Sequence, residues 1–256
     1  MNRKTLRSLT LIELIVVLLV LVALAGILTP QFGNMVGRAH GSSGASNAVE
    51  IAKAIQFFQA TKLRQPTGFG VPIAADGTAI DNPDATGSIF EAAGDFTTQN
   101  LNGAGANENA RASLAGAGIT SLQRVTQAAV DAAESATFGV EATTVDISSP
   151  LAADENVVAL SASGITSLGL TAGNTYVCLC VGESCELIGS GMLDAPLHFP
   201  EGGDGLPANA YARWLAIYEV DVDGGESAIL VAVASNDDGS ASGLQGHLAE
   251  YFEAAN

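Results

Sequence analysis

Three cysteines, Cys178, Cys180 and Cys185, have the spacing in this 256-residue chain that most directly invites chemistry. Their C-x-C-x4-C arrangement has three readings. A structural zinc site takes four ligands, usually as two spaced pairs, and no histidine lies within ten residues of the cluster. Three buried thiols are the second reading. The third, and the leading one, is a disulfide. If Gly182 and Glu183 form a two-residue hairpin turn, Cys180 faces Cys185 in a non-hydrogen-bonded pair, where cross-strand Cβ atoms come closest. Export to an oxidising compartment would then join them, leaving Cys178 over.

A second cluster is acidic. Asp221, Asp223 and Glu226, with Asn236, Asp237 and Asp238 one hairpin away, offer the hard oxygen ligands that Ca²⁺ takes. The run lacks the twelve-residue EF-hand pattern, and a solvated acidic turn is the leading reading. No other cofactor is implied. His40, His198 and His247 are scattered, and neither a Gly-x-Ser-x-Gly elbow nor a Gly-rich phosphate loop occurs. The expectation is a protein that is not an enzyme. Trp214, between Arg213 and Leu215, reads as core.

These groups need elements to hold them. Beyond Gln65 the chain becomes rich in turn residues, with loops expected at 76–82 and 100–107. Helical spacing marks 107–116 and 121–135, the second through Leu122, Val125, Ala129 and Ala132. Strands are predicted at 141–147, 157–161, 175–181, 185–188, 212–222 and 227–234. The last two flank Asp223-Gly224-Gly225-Glu226, a hairpin signal. Residues 244–254 predict a closing helix. Upstream, Ala48, Ile51, Ala52, Ile55 and Phe58 recur every three or four residues, as in an amphipathic helix. The Gly-Ser-Ser-Gly at 41–44 is a weak point in it.

The N-terminus carries the strongest pattern. Residues 1–8 (MNRKTLRS) are short and basic, and residues 9–28 are apolar with one charge, Glu13. Twenty helical residues rise about 30 Å, the thickness of a hydrocarbon core, so this segment predicts a membrane span with its basic end cytoplasmic. A cleaved secretory signal is the alternative, but the run is long for one and no Ala-x-Ala-like site follows before Pro30. A carboxylate in such a helix is costly, and sequences that keep one usually supply it with a partner.

The stretch Leu9-Thr10-Leu11-Ile12-Glu13-Leu14-Ile15-Val16-Val17 resembles the start of type IV pilins and type II secretion pseudopilins. A cut between Ser8 and Leu9 puts Glu13 at the family's fifth place and Pro30 twenty-second, where its helix-bending proline commonly stands. The family usually has Gly before the cut and a Phe-like residue after it; Ser8 and Leu9 depart from that. The resemblance implies removal of the leader by a prepilin peptidase, with N-methylation of the new terminus. It also implies pairing of Glu13 with the terminal amine of a neighbouring subunit, and a bend or local melting within 26–37. Some pseudopilins hold calcium in a late loop like that of Asp221.

The expected fold class is therefore α+β: a long N-terminal helix, transmembrane then amphipathic, packed on a globular head with an antiparallel sheet, as in pilins. Its parts are a leader (1–8), a transmembrane and assembly helix (9–29), a stalk helix (30–64) and the head (65–256). The expected function is a structural subunit of a type IV pilus or type II secretion pseudopilus. Partners would be copies of itself or related pilins, the prepilin peptidase, an inner-membrane assembly platform and the membrane. The expected place is the inner membrane with the head exported, then a periplasmic or extracellular filament. The alternative is a membrane-tethered exported binding protein that does not polymerise. A net charge of −17 repels phosphate backbones, so nucleic-acid binding is not expected.

Overall fold

Apolar residues three or four apart place one face of a helix against a sheet, and this pattern shapes the second half of α1 (Leu11–Lys62). Ala48, Ile51, Ile55 and Phe58 are buried in the main core, each large side chain contributing about 2 kcal/mol by leaving water. The helix runs without a break through residues 26–37 and through the Gly-Ser-Ser-Gly. The computed structural model describes residues 11–81, 88–90, 93–132, 141–196, 214–237 and 240–253. Ser8, Leu9 and Asp238 lie outside the described residues, and so does the side chain of Pro30.

α1 ends on an unusual cap. Leu63 adopts φ 58° and donates its N–H to the Gln59 carbonyl at 2.8 Å. Left-handed geometry costs a residue with a Cβ about 1 kcal/mol, and Leu63 is 89 % exposed, so its side chain adds little packing. Leu63→Gly is expected to raise the urea midpoint, by an amount corresponding to roughly 0.5–1 kcal/mol after glycine's larger unfolded-state entropy.

After α1 come β1 (Phe69–Val71), β2 (Ile80–Asp81), β3 (Ser88–Phe90), β4 (Phe96–Asn100), α2 (Ala106–Gly116), β5 (Ser121–Val125) and α3 (Gln127–Ala132). The chain continues through β6 (Glu141–Asp146), β7 (Asn156–Leu160), α4 (Ala162–Ser167), β8 (Thr175–Cys180), β9 (Trp214–Val220), β10 (Ile229–Asp237), β11 (Ser240–Gly243) and α5 (Leu244–Glu253). Among the described residues, nine strands form one sheet in the order β11-β10-β9-β8-β1-β5-β6, and β7 joins β4 to β8; β2 and β3 pair separately.

Two findings overturn the expected fold class. The sheet is mixed, not antiparallel: β1 runs parallel to β5, with Phe69 opposite Leu122 and Val71 opposite Arg124. Parallel neighbours need a long crossover, usually with a helix in it, and α2 lies in this one. Among the described residues, moreover, no helix is long and apolar enough to cross a membrane. The apolar part of α1 whose side chains are described covers residues 11–25, a rise of roughly 22 Å, short of a hydrocarbon core.

Two element assignments also change. Residues 121–125, expected as helix, form strand β5. Residues 185–188, expected as strand, are turns in which the Cys185 N–H reaches the Gly182 carbonyl at 3.1 Å.

β8 is where the sheet forks. One edge pairs with β9 along its whole length. The other pairs first with β7 at Val177 and Cys178, then with β1 at Cys180. Arg124 closes the gap between the two branches. Its Nε donates to Glu155 Oε1 at 2.6 Å, Nη1 to the Ile73 carbonyl at 2.5 Å and Nη2 to the Asn156 carbonyl at 2.9 Å.

Candidate functional site

Residues 11–25 of α1 form a rod with apolar side chains on every face. From Leu11 to Leu24 its large hydrophobic residues are 49–77 % exposed, a contiguous apolar surface of the kind that marks an interaction site. Glu13 stands within this rod, also exposed.

The second half of α1 meets α5. Gly44 comes so close to this helix that a Cβ on it would lie 2.6 Å from His247 Nδ1. The imidazole is 1 % exposed. Its Nε2 is 3.1 Å from Ser235 Oγ on β10, and its ring tilts against Trp214 at 5.7 Å. Gly44, which weakens the helix in sequence, thus lets another helix approach. Beside the inward-turned His247, α5 leaves Leu244, Leu248 and Phe252 partly in solvent, at 41, 41 and 62 % exposed. Residues four apart lie on one helix face, so these three form a stripe.

Between α1, β10 and α5 is a groove of about 330 Å³. Ala48, Ala52, Gly243 and Gly246 are among its lining residues, with Val231 and Leu244. Sequence reading missed the groove, the stripe and the histidine seat. Each depends on segments far apart in the chain, and only the Leu-x3-Leu-x3-Phe spacing gave a local hint.

The acidic turn is held together from within. The Asp221 carboxylate accepts the N–H of Asp223 at 2.9 Å and of Gly224 at 3.0 Å on one oxygen, and of Glu226 at 2.9 Å on the other. These backbone donors, Glu226 foremost, hold its carboxyl below the usual range. Asp223 and Glu226 point to solvent. Among the described residues, no three His, Cys, Asp or Glu side chains are grouped to hold a metal ion.

The three cysteines are buried. Cys178 and Cys180 alternate with Leu179 and so share one face of β8; Tyr218, opposite Val177, belongs to the other. Burial foremost, and then the negative charge of a Cys185 thiolate, pushes the Tyr218 hydroxyl well above its usual range. The hairpin on which a Cys180–Cys185 pairing was founded does not form, because 182–185 closes a single turn. Burial likewise raises the Cys178 thiol.

One further ion pair ties α1 to this region. Arg64 grips Glu186 through two hydrogen bonds, 2.6 and 2.9 Å long. The Thr67 N–H adds a third at 3.1 Å. Arg64 foremost, and then Thr67, hold the Glu186 carboxyl below its usual range against the opposing effect of burial. A lowered carboxylate stabilises the fold above its unfolded-state value and loses that effect as pH falls through the folded one. Both side chains are about 40 % exposed, so solvent screens the pair and the effect is modest. Glu186→Gln is expected to make acid unfolding less steep near the carboxylate range, read as melting temperature against pH.

What the geometry brings together is a set of contact surfaces: an apolar rod, a groove lined by small and apolar residues, and an acidic turn. Compared with known proteins, the chain matches no family, no curated relative and no solved structure.

Proposed function

We propose that this chain is a structural subunit of a filament that assembles through its N-terminal helix, in the manner of type IV pilins and type II secretion pseudopilins. The observation that carries this reading is the division of α1. Its second half is built into the head, and residues 11–24 hold their Leu, Ile and Val side chains out on all sides. At about 25 cal/mol per Å² of apolar surface, leaving such a rod in water is costly, and packing it among other copies removes that cost. The resemblance of residues 9–17 supports the same reading, with Ser8 and Leu9 as the processing point.

The experiment is to shear surface material from cells that make the protein, image it, and sequence the N-terminus of the chain it contains. Fibres whose subunit begins at Leu9 are expected. A chain that keeps Met1 and stays monodisperse sinks the proposal in favour of a tethered, non-polymerising binding protein.

A further inference from the structure

We infer that the groove between α1, β10 and α5 receives the apolar rod of a second copy of this chain; this rests on the filament reading and adds which surfaces meet. The groove suits a helix. Ala48, Ala52 and Gly246 keep part of its lining short, which lets a second backbone come near, as small residues do wherever helices cross closely, while the Leu168 side chain lies over Gly243 and adds apolar surface. Leu244 stands at its rim, and the stripe through Leu248 and Phe252 carries the apolar surface onward along α5.

The occupant must tolerate a strongly acidic protein. At a net charge of −17 two copies repel each other over most of their surfaces. Among the described residues, no charged side chain lines the groove, and residues 11–24 of the rod carry one charge, Glu13. Rod and groove are therefore surfaces on which two copies can meet with little repulsion.

A chain cannot fill its own groove. Leu24 and Ala48 belong to one unbroken helix, about 36 Å apart along its axis, so the rod cannot fold back. It must enter a neighbour. Because rod and groove are different patches, the contact is head-to-tail: each copy added uses one rod and one groove and presents another of each. Such contacts propagate into open polymers unless the rotation closes a ring. The geometry of the pair thus favours a fibre over a closed dimer.

The test mixes two full-length variants before assembly, one carrying Val17→Cys in the rod and the other Leu244→Cys at the groove rim, and oxidises them. The native cysteines are 1–3 % exposed and do not compete. A disulfide-linked mixed dimer is expected in the assembled material, and none when Asp223→Cys replaces Leu244→Cys. Fibres that form without the mixed dimer overturn this inference and leave the filament reading standing. A mixed dimer in material that never forms fibres upholds the contact and removes the filament reading. Monodisperse protein without the dimer ends both.

Discussion

Replacing Arg124 with alanine is expected to lower the unfolding free energy by about 3–5 kcal/mol, out of the 5–15 kcal/mol typical of a folded domain. Arg124 is 5 % exposed, and its partner Glu155 is 9 % exposed. Removing the guanidinium leaves a carboxylate and the Ile73 and Asn156 carbonyls in the gap between the two branches of the sheet, each without its strongest donor. An uncompensated buried charge is far costlier than a missing pair. The double change Arg124→Met with Glu155→Leu is therefore expected to recover most of the loss. Urea unfolding of the three variants checks this. A single-variant loss under about 1 kcal/mol, as at an exposed ion pair, would mean that the cleft admits water.

The second large effect lies at the crossing of α1 and α5. In an exposed helix Gly→Ala gains about 1 kcal/mol. At Gly44 the sign reverses, because the new methyl group would overlap a histidine ring held by Ser235 and by Trp214. Overpacking of this kind costs about 1–3 kcal/mol. Gly44→Leu is expected to lift α5 off α1, seen as fast hydrogen exchange of its amides and a changed Trp214 emission. Gly246→Ala, in α5 itself, is the control. Its added methyl would meet Ser242 at an ordinary 3.5 Å, so a gain of a few tenths to 1 kcal/mol is expected there. Equal behaviour of the two glycines would show that the helices do not dock as described.

Sequence reading served best where a signal was local and long. Ala48, Ile51, Ile55 and Phe58 announced their buried face by spacing alone, and Asp223-Gly224-Gly225-Glu226 announced the β9–β10 hairpin. It failed where the same residues fit two periods. Leu122 and Val125 suit a helix as well as a short strand, and the parallel partner that decides between them is Phe69, more than 50 residues earlier. With β1 only three residues long, neither member of that pair can be read alone, and the strand pattern by itself implies an antiparallel sheet. The candidate site divides in the same way. The rod was visible as composition, whereas the groove exists only once α5 has crossed α1. Arg124 and Glu155 carried no motif at all, being joined by topology and not by spacing.

The seat of His247 against Gly44 also governs the order of events on the way to the native state. These partners are about 200 residues apart in the chain, and closing so long a loop is among the slowest steps of a folding reaction. Until α5 has docked, the Gly44 turn of α1 and the adjoining Ala48 and Val49 lack its cover. A chain whose α5 has not yet docked therefore leaves this apolar patch uncovered, and faster docking is expected to reduce premature clumping.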